Sequence, residues 1–230
     1  MSPSPLPAFV PRTRFRTKQE FVYRTLRDAI MRCELEPGRR LVIDELAQKL
    51  EVSSIPVREG LQLLQSEGLV TNIPHVGATV SPISRESVDE VFAVMEGLEI
   101  VASRSAAERM TREEAFGLEV LVVAMDAALR EGRHHEWADL NTGFHLEISR
   151  LAAMPMLREM TERVLSRWDR LRRYYFDGVL VHRVDQAQDE HRSLLRALRD
   201  KDLPALEETV KQHNRGALLA YAAYQRGHPG

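Results

Sequence analysis

The sequence predicts a mainly α protein in two parts: an N-terminal winged helix-turn-helix with a small β wing, and a C-terminal all-α helical bundle. Two observations carry the first part: a pair of helical patterns, 44–50 and 54–67, flanks a break at Glu51-Val52-Ser53, and two short strand signals follow around Gly77. The second part rests on a third: from residue 84 onward apolar residues recur at helical spacing with almost no strand signal. Pro82 and Ser84 mark the join, so the expected domains are 17–81 and 84–228.

Residues 1–16 hold four prolines and three arginines without periodicity, which predicts a disordered leader. Over 18–35, Phe21, Val22, Leu26, Ala29 and Ile30 form a helical stripe that stops before Glu36-Pro37-Gly38, and this helix should pack behind the helix-turn-helix. In the 54–67 helix, Val57, Leu61 and Leu64 share one face, while Ser54, Arg58 and Gln62 step along another. Ser53 or Ser54 is expected to cap it, and Pro56 is tolerated in its first turn, where a missing N–H is no loss. Gly68 then closes the helix and Leu69-Val70-Thr71 starts a strand. In the rear half, Ser84 caps the opening helix, and breaks near Thr111, Gly132, Pro155, Gly178 and Pro204 predict helices at 84–110, 112–131, 134–152, 156–177, 180–200 and 203–226. Thr111 with Glu114 reads as a capping box.

Composition narrows the function. At 230 residues and 26.3 kDa the chain is long enough for two small cores. Residues 1–80 carry 11 Lys+Arg against 9 Asp+Glu, and the remainder 21 against 25, so the front is +2 and the rear −4 within a net charge of −2. A single cysteine, Cys33, excludes an internal disulfide framework and reads as a small core residue. No run approaches a membrane span and the start lacks the apolar block of a signal peptide, which predicts a cytoplasmic protein.

A helix seated by one apolar face and offering donors on the other suits a major groove. The runs PGRRL, ELAQKLEVSSIPVREGL, LQSEGLV and HVGATV resemble the winged-helix domain of the GntR family of bacterial transcription regulators, in its FadR-like subgroup, over 19–80 without a gap. The resemblance implies that Arg58 enters the groove with Ser53, Ser54 and Ile55 at the helix start. Ser54 and Ile55 stand where the family usually has Arg-Thr, so the operator should differ. Gly77 lets the wing turn, His75 is placed for the minor groove or a phosphate, and Arg39 and Arg40 for a backbone contact, with a solvated loop as the competing reading. One winged helix makes few contacts, so a homodimer on palindromic double-stranded DNA is expected.

Four rear positions converge by geometry. Asn141 and His145, four apart, share a helix face. His191 and His213 each lie 11 residues from Asp202 (202 − 191 and 213 − 202), so an antiparallel hairpin brings them level. A lone helical histidine is more often a core or surface residue than a ligand; only the spacings together argue for a site. His75, His134, His135, His182 and His228 show no such register and are expected to be solvated.

The rear half also resembles the FCD-type helical effector domain of that subgroup. Many such regulators carry an aspartate four residues before Phe-His and two further histidines on the last two helices, which bind a divalent metal in the effector cavity. Phe144-His145, Glu190-His191 and His213 match; Asn141 replaces the aspartate and is a weaker, neutral ligand. Zinc, nickel and manganese all stay open as the ion. The family often responds to small organic acids, so a small carboxylate effector is expected, with Arg104, Arg150, Arg170 and Arg173 as cations for the cavity, each against a solvated surface reading. The arginine often found four residues before the glutamate of the first bundle helix is absent, since Met95 precedes Glu99.

The resulting expectation is a dimeric DNA-binding regulator, a repressor, controlled by a metabolite and not an enzyme. A metalloregulator sensing the ion itself is the alternative. A metal-dependent hydrolase fused to a DNA-binding module is disfavoured: there is no HExxH, no nucleophile adjoins a base, and Glu190, beside His191, points about 100° away from it on a helix.

Overall fold

A computed structural model of the chain describes residues 6–7, 17–176 and 178–227, in two compact units, 1–83 and 84–230. Most of the expected disordered leader, and His228, lie outside the described residues. Leu6 is described: it packs on the front core and its carbonyl accepts from Lys49 Nζ at 3.0 Å.

In the front unit α1 (Lys18–Met31) starts where Thr17 Oγ1 accepts the Glu20 N–H at 3.0 Å, and it buries Phe21, Val22, Leu26, Ala29 and Ile30 as the stripe requires. It stops short of residue 35. Cys33 takes φ +59°, and Leu35 folds back so that its N–H reaches the Ala29 carbonyl at 3.1 Å. α2 (Ile43–Lys49) and α3 (Ser54–Ser66) follow. The turn between them is a Schellman closure: Glu51, at φ +54°, donates to Gln48 O at 3.3 Å, and Val52 donates to Ala47 O at 3.0 Å. α3 closes in the same way through Gly68, at φ +73°, with Gly68 N–H to Gln65 O and Leu69 N–H to Leu64 O.

The wing pairs β1 (Val70–Ile73) with β2 (Gly77–Val80), antiparallel, Val70 opposite Val80 and Ile73 opposite Gly77. α1 presses against α3 so closely that a Cβ on Gly60 would lie 2.8 Å from Val22 Cγ1 and 3.2 Å from the Tyr23 nitrogen. Tyr23 Oη and Arg27 Nε both donate to the Glu67 carboxylate, tying α1 to the end of α3.

The rear unit comprises α4 (Arg85–Arg109), α5 (Arg112–Arg130), α6 (His134–Leu151), α7 (Pro155–Tyr174), α8 (Val184–Asp200) and α9 (Leu203–Gly227). Ser84 caps α4 and the Thr111–Glu114 capping box is complete on α5. Trp137 and Phe144 of α6 sit in a core with Leu118 and Met125 of α5 and Leu198 and Leu206 of α8 and α9. Gln188 stitches three helices, accepting from Trp137 Nε1 at 2.9 Å and donating to the Val122 carbonyl at 3.1 Å.

The expected 180–200 helix is in fact two pieces, a 3-10 turn at Leu180–His182 and then α8, with Arg183 between them at φ −117°. At the break the buried Arg183 guanidinium reaches Glu190 and the His213 carbonyl. Among the described residues no helix is long and apolar enough to cross a membrane.

Candidate DNA interface and candidate metal and effector site

α3 is held by Val57, Leu61 and Leu64, all buried, so Arg58 and Gln62 face solvent and Ile55 is 65% exposed. Ser53 occupies the cap position with extended backbone, but neither its hydroxyl nor that of Ser54 makes a capping bond, contrary to expectation. The unused hydroxyl therefore does not anchor the helix. In the wing His75 is exposed at φ +63° and Gly77 takes φ +96°, where a Cβ is disfavoured. Arg39 and Arg40 are not in a detached loop. Their backbone pairs with β2: the Val80 N–H donates to Arg39 O at 2.8 Å, the Leu41 N–H to Ala78 O at 2.8 Å, and Arg40 bridges Thr79. These two arginines thus extend the edge of the wing.

In the rear unit the four positions meet. His145 and His191 bring their Nε2 atoms to 3.3 Å, and the His191 and His213 ring centroids are 4.7 Å apart. One ligand atom from each of the three rings lies within 4.8 Å of the others. Phe144 wedges edge-on against His145 and His191 at 5.6 and 5.3 Å, fixing their planes.

Two carboxylates stand behind the rings. Glu99 Oε1 is 2.8 Å from His145 Nδ1, and its Oε2 accepts from Asn214 Nδ2 at 2.7 Å. Burial alone would raise the Glu99 carboxyl, but the charge and hydrogen bond of His145, with His213 and Asn214 behind, hold it below its ordinary value. Glu190 Oε2 takes His213 Nδ1 at 2.7 Å and Arg183 Nη2 at 2.8 Å; burial again opposes, and these two partners hold its carboxyl down. Glu190 thus points away from its neighbour His191 and reaches across to α9. His191, fully buried, is pushed well below the usual imidazole range, by desolvation first and then by His213, His145 and Arg183.

This donor set fits a divalent ion. With Nδ1 of His145 and His213 engaged by carboxylates, each ring is left its Nε2, the arrangement that orients metal-binding histidines. The 3.3 Å Nε2 separation is long for a hydrogen bond, yet it matches two nitrogens each about 2.0–2.1 Å from one tetrahedral ion. Asn141 Oδ1 is buried beside them without a hydrogen-bond partner.

A cavity opens next to the histidines, walled by Phe92, Met95, Trp137, Leu165, Trp168 and Tyr221, with Asn141, His145 and His213 on one side and Arg183 entering it. None of the four arginines expected to face it does so. Arg104 is on the surface with Glu207 at 3.2 Å, Arg150 with Glu147 at 2.7 Å, and Arg173 with Asp169 at 3.0 Å. Arg170 is buried on α7 but is not among the cavity-lining side chains. A half-turn of error is enough to misplace a helical arginine, and a carboxylate, one turn away for Arg150 and Arg173 and on α9 for Arg104, pairs with each of these three outside the cavity.

The cavity's cation is Arg183, which sequence reasoning missed. It is 7% exposed; Nη2 serves Glu190 and the His213 carbonyl, while Nε and Nη1 are buried without partners. Gly216 makes room for it, since a Cβ there would lie 2.6 Å from Nη2. The only sequence signals were its place just after Gly178 and its seven-residue spacing to Glu190.

A winged helix with its second helix facing outward, on a chain whose other half is a helical domain, defines a DNA-binding transcription regulator. Residues 18–80 match the family described as bacterial regulatory proteins, gntR family, and residues 90–216 match the FCD domain. The chain belongs to the GntR family, with an FCD domain as its rear half. It is 27% identical over 192 residues to the HTH-type transcriptional repressor RspR of Escherichia coli K12, covering 84% of this chain and 83% of the relative. It is 30% identical over 209 residues to an HTH-type regulator of Streptomyces ambofaciens, covering 88% and 84%. Among solved structures, E. coli McbR/YncC superposes with a TM-score of 0.70 at 25% identity over 91% of this chain and all of that one. A GntR regulator from Rhodococcus sp. RHA1 reaches 0.70 at 19% identity over 90% and 99%, a likeness of fold.

Proposed function

We propose that this regulator is a homodimeric, cytoplasmic repressor that holds a palindromic operator through α3 and the wing and lets go when a small carboxylate enters the rear cavity. The observation that carries the effector class is Arg183: a buried guanidinium with two unpartnered donors beside three histidines. Unmet buried donors of a cation are costly, and an incoming carboxylate would satisfy one of the two, Nε and Nη1 lying on different edges of the guanidinium. The apolar walls then select the body of the acid. His145, His191 and His213 with Asn141 would hold the divalent ion, which when bound supplies an open coordination position for a carboxylate oxygen. Three imidazoles and an amide favour zinc or nickel over manganese, since nitrogen donors suit the former. At the front, Arg58 is the groove-facing reader, with Ser53, Ser54 and Ile55 at the helix start, and His75, Gly77, Arg39 and Arg40 along the wing. The rear domain is read as a binding domain and not an enzyme, because Glu190 is already engaged by His213 and Arg183.

The ligand acts only if it prefers one of two arrangements of the dimer, since equal affinity shifts nothing. A thermal-shift screen of small carboxylic acids with zinc, nickel or manganese tests the reading. Arg183→Met should erase the acid response and leave effector-free operator binding intact; an undiminished response removes Arg183 and the acid reading. The braced Nδ1 atoms, which preform the ion site without any acid, favour a second reading in which the ion is the signal. Operator affinity that changes with metal alone would support it.

A further inference from the structure

We propose that the outward face of α5 is where two copies of this chain meet, the helices running antiparallel about a two-fold axis between Leu121 and Val122. The inference rests on the homodimer reading and adds its location. α5 is apolar on both sides. Leu118, Val122, Met125 and Ala128 are buried in the bundle, while Phe116, Val120 and Val123 are 64%, 51% and 57% exposed. A helix that is hydrophobic all round belongs inside something, so the second stripe calls for a cover. The exposed residues are spaced four and three apart, on the same face as the small residue Ala127, with Ala124 and Gly117 along its flank, and a Cβ at Gly117 would meet nothing within 4 Å. Small residues let two helices approach closely.

Charge then chooses the cover. The helix and its cap carry Arg112 and Glu113 at the start and Arg130 and Glu131 at the end, all exposed. Set antiparallel about the Leu121–Val122 axis, Val120 faces Val123 of the second copy and Phe116 faces Ala127, a large residue over a small one. In the same register Glu113 meets Arg130 of the second copy and Arg112 meets Glu131. One axis satisfies all four pairings, as a self-complementary two-fold interface must. A parallel arrangement would set each charge against its own kind.

The test uses the full-length chain in sedimentation velocity over a range of concentrations. The parent should be a dimer, and Phe116→Asp with Val123→Asp should weaken it by at least about tenfold while the melting temperature holds, since both positions are exposed. Glu113→Arg and Arg130→Glu should each weaken it about two- to fivefold, and the double swap should restore it. Val120→Cys with Val123→Cys should oxidise to a covalent dimer that the parent, carrying only Cys33, does not form. A parent dimer indifferent to the aspartates, or a double charge swap no better than either single one, overturns this face and leaves the homodimer reading standing. A parent that stays monomeric with and without operator overturns both.

Discussion

The outer edge of α3 and the histidine cluster at the junction of α4, α6, α8 and α9 are both polar, but they are built in opposite ways. At α3 the apolar residues are spent on seating the helix and the face proposed to read DNA is left in water: Arg58 and Gln62 are exposed, and the hydroxyl of Ser53 does no capping work. In the rear the polar groups are inside, each braced by another: Glu99 behind His145, Glu190 behind His213, Arg183 behind Glu190. A surface that must meet a large partner tolerates loose side chains, because the partner orders them. A cavity that receives a small one has to be organised beforehand, since a small ligand brings little energy to organise it.

Substitution separates the two. Arg58→Ala should abolish specific operator binding in a gel-shift titration, at about 1–3 kcal/mol for each half-site, with the melting temperature unmoved. Unchanged affinity would strike Arg58 from the reading groups and weaken the contrast. His213→Ala should lower metal content by elemental analysis and spare operator binding in the absence of effector. Equal metal in variant and parent would put any ion elsewhere. Glu99→Gln, which keeps the shape behind His145 but not the charge, should cost about 10–100-fold in metal affinity.

Acid should also part the two units. His191 sits well below the ordinary 6.5, so the unfolded chain gains a proton that the folded one refuses, and stability is lost as pH falls below about 6.5. Glu99 and Glu190, held below 4.5, add a loss of the same sign as pH falls through their folded values. Tyr23 is the group of the front unit with a shifted value among the described residues, and it titrates above 10. Melting of the metal-free protein followed by near-ultraviolet dichroism, where Trp137 and Trp168 report the rear, should show that unit failing first between pH 6.5 and 4.5. Simultaneous loss of both units would break the comparison.

How far each region was legible follows from how local its determinants are. The seating of α3 is a matter of spacing within thirteen residues, and it reads directly from Val57, Leu61 and Leu64. The convergence of His191 with His213 was legible because the hairpin is symmetric about Asp202. Arg183 was not, because Gly178 marks a break five residues upstream and not the one at Arg183 itself, whose pairing with α8 and α9 no local pattern encodes. The same holds for Gly60, unremarkable inside PVREGL until α1 is laid against it. Gly60→Ala should cost the front unit about 1–3 kcal/mol, because the neighbours are a β-branched side chain and backbone. A neutral result in denaturant unfolding would mean that α1 and α3 part more easily than their spacing implies.

The smallest effect concerns the turn that holds α3 in place. Glu51 closes α2 in the left-handed region, at φ +54°, the position that Gly68 fills after α3 and Gly132 after α5. A side chain costs roughly 1–2 kcal/mol there, and glycine gives back about 0.5–1 kcal/mol in the entropy of the unfolded chain. Glu51 is exposed, and neither its backbone bond to Gln48 nor that of Val52 to Ala47 involves its carboxylate. Glu51→Gly should therefore stabilise the front unit by about 0.5–1 kcal/mol, read as a higher denaturant midpoint. It should also raise operator affinity slightly by removing a negative charge next to the start of α3, an effect that fades as salt is added. A lower midpoint would show that the strain at Glu51 is compensated by a contact of its side chain, and would make this turn, like the rear cluster, a place where polar groups brace one another.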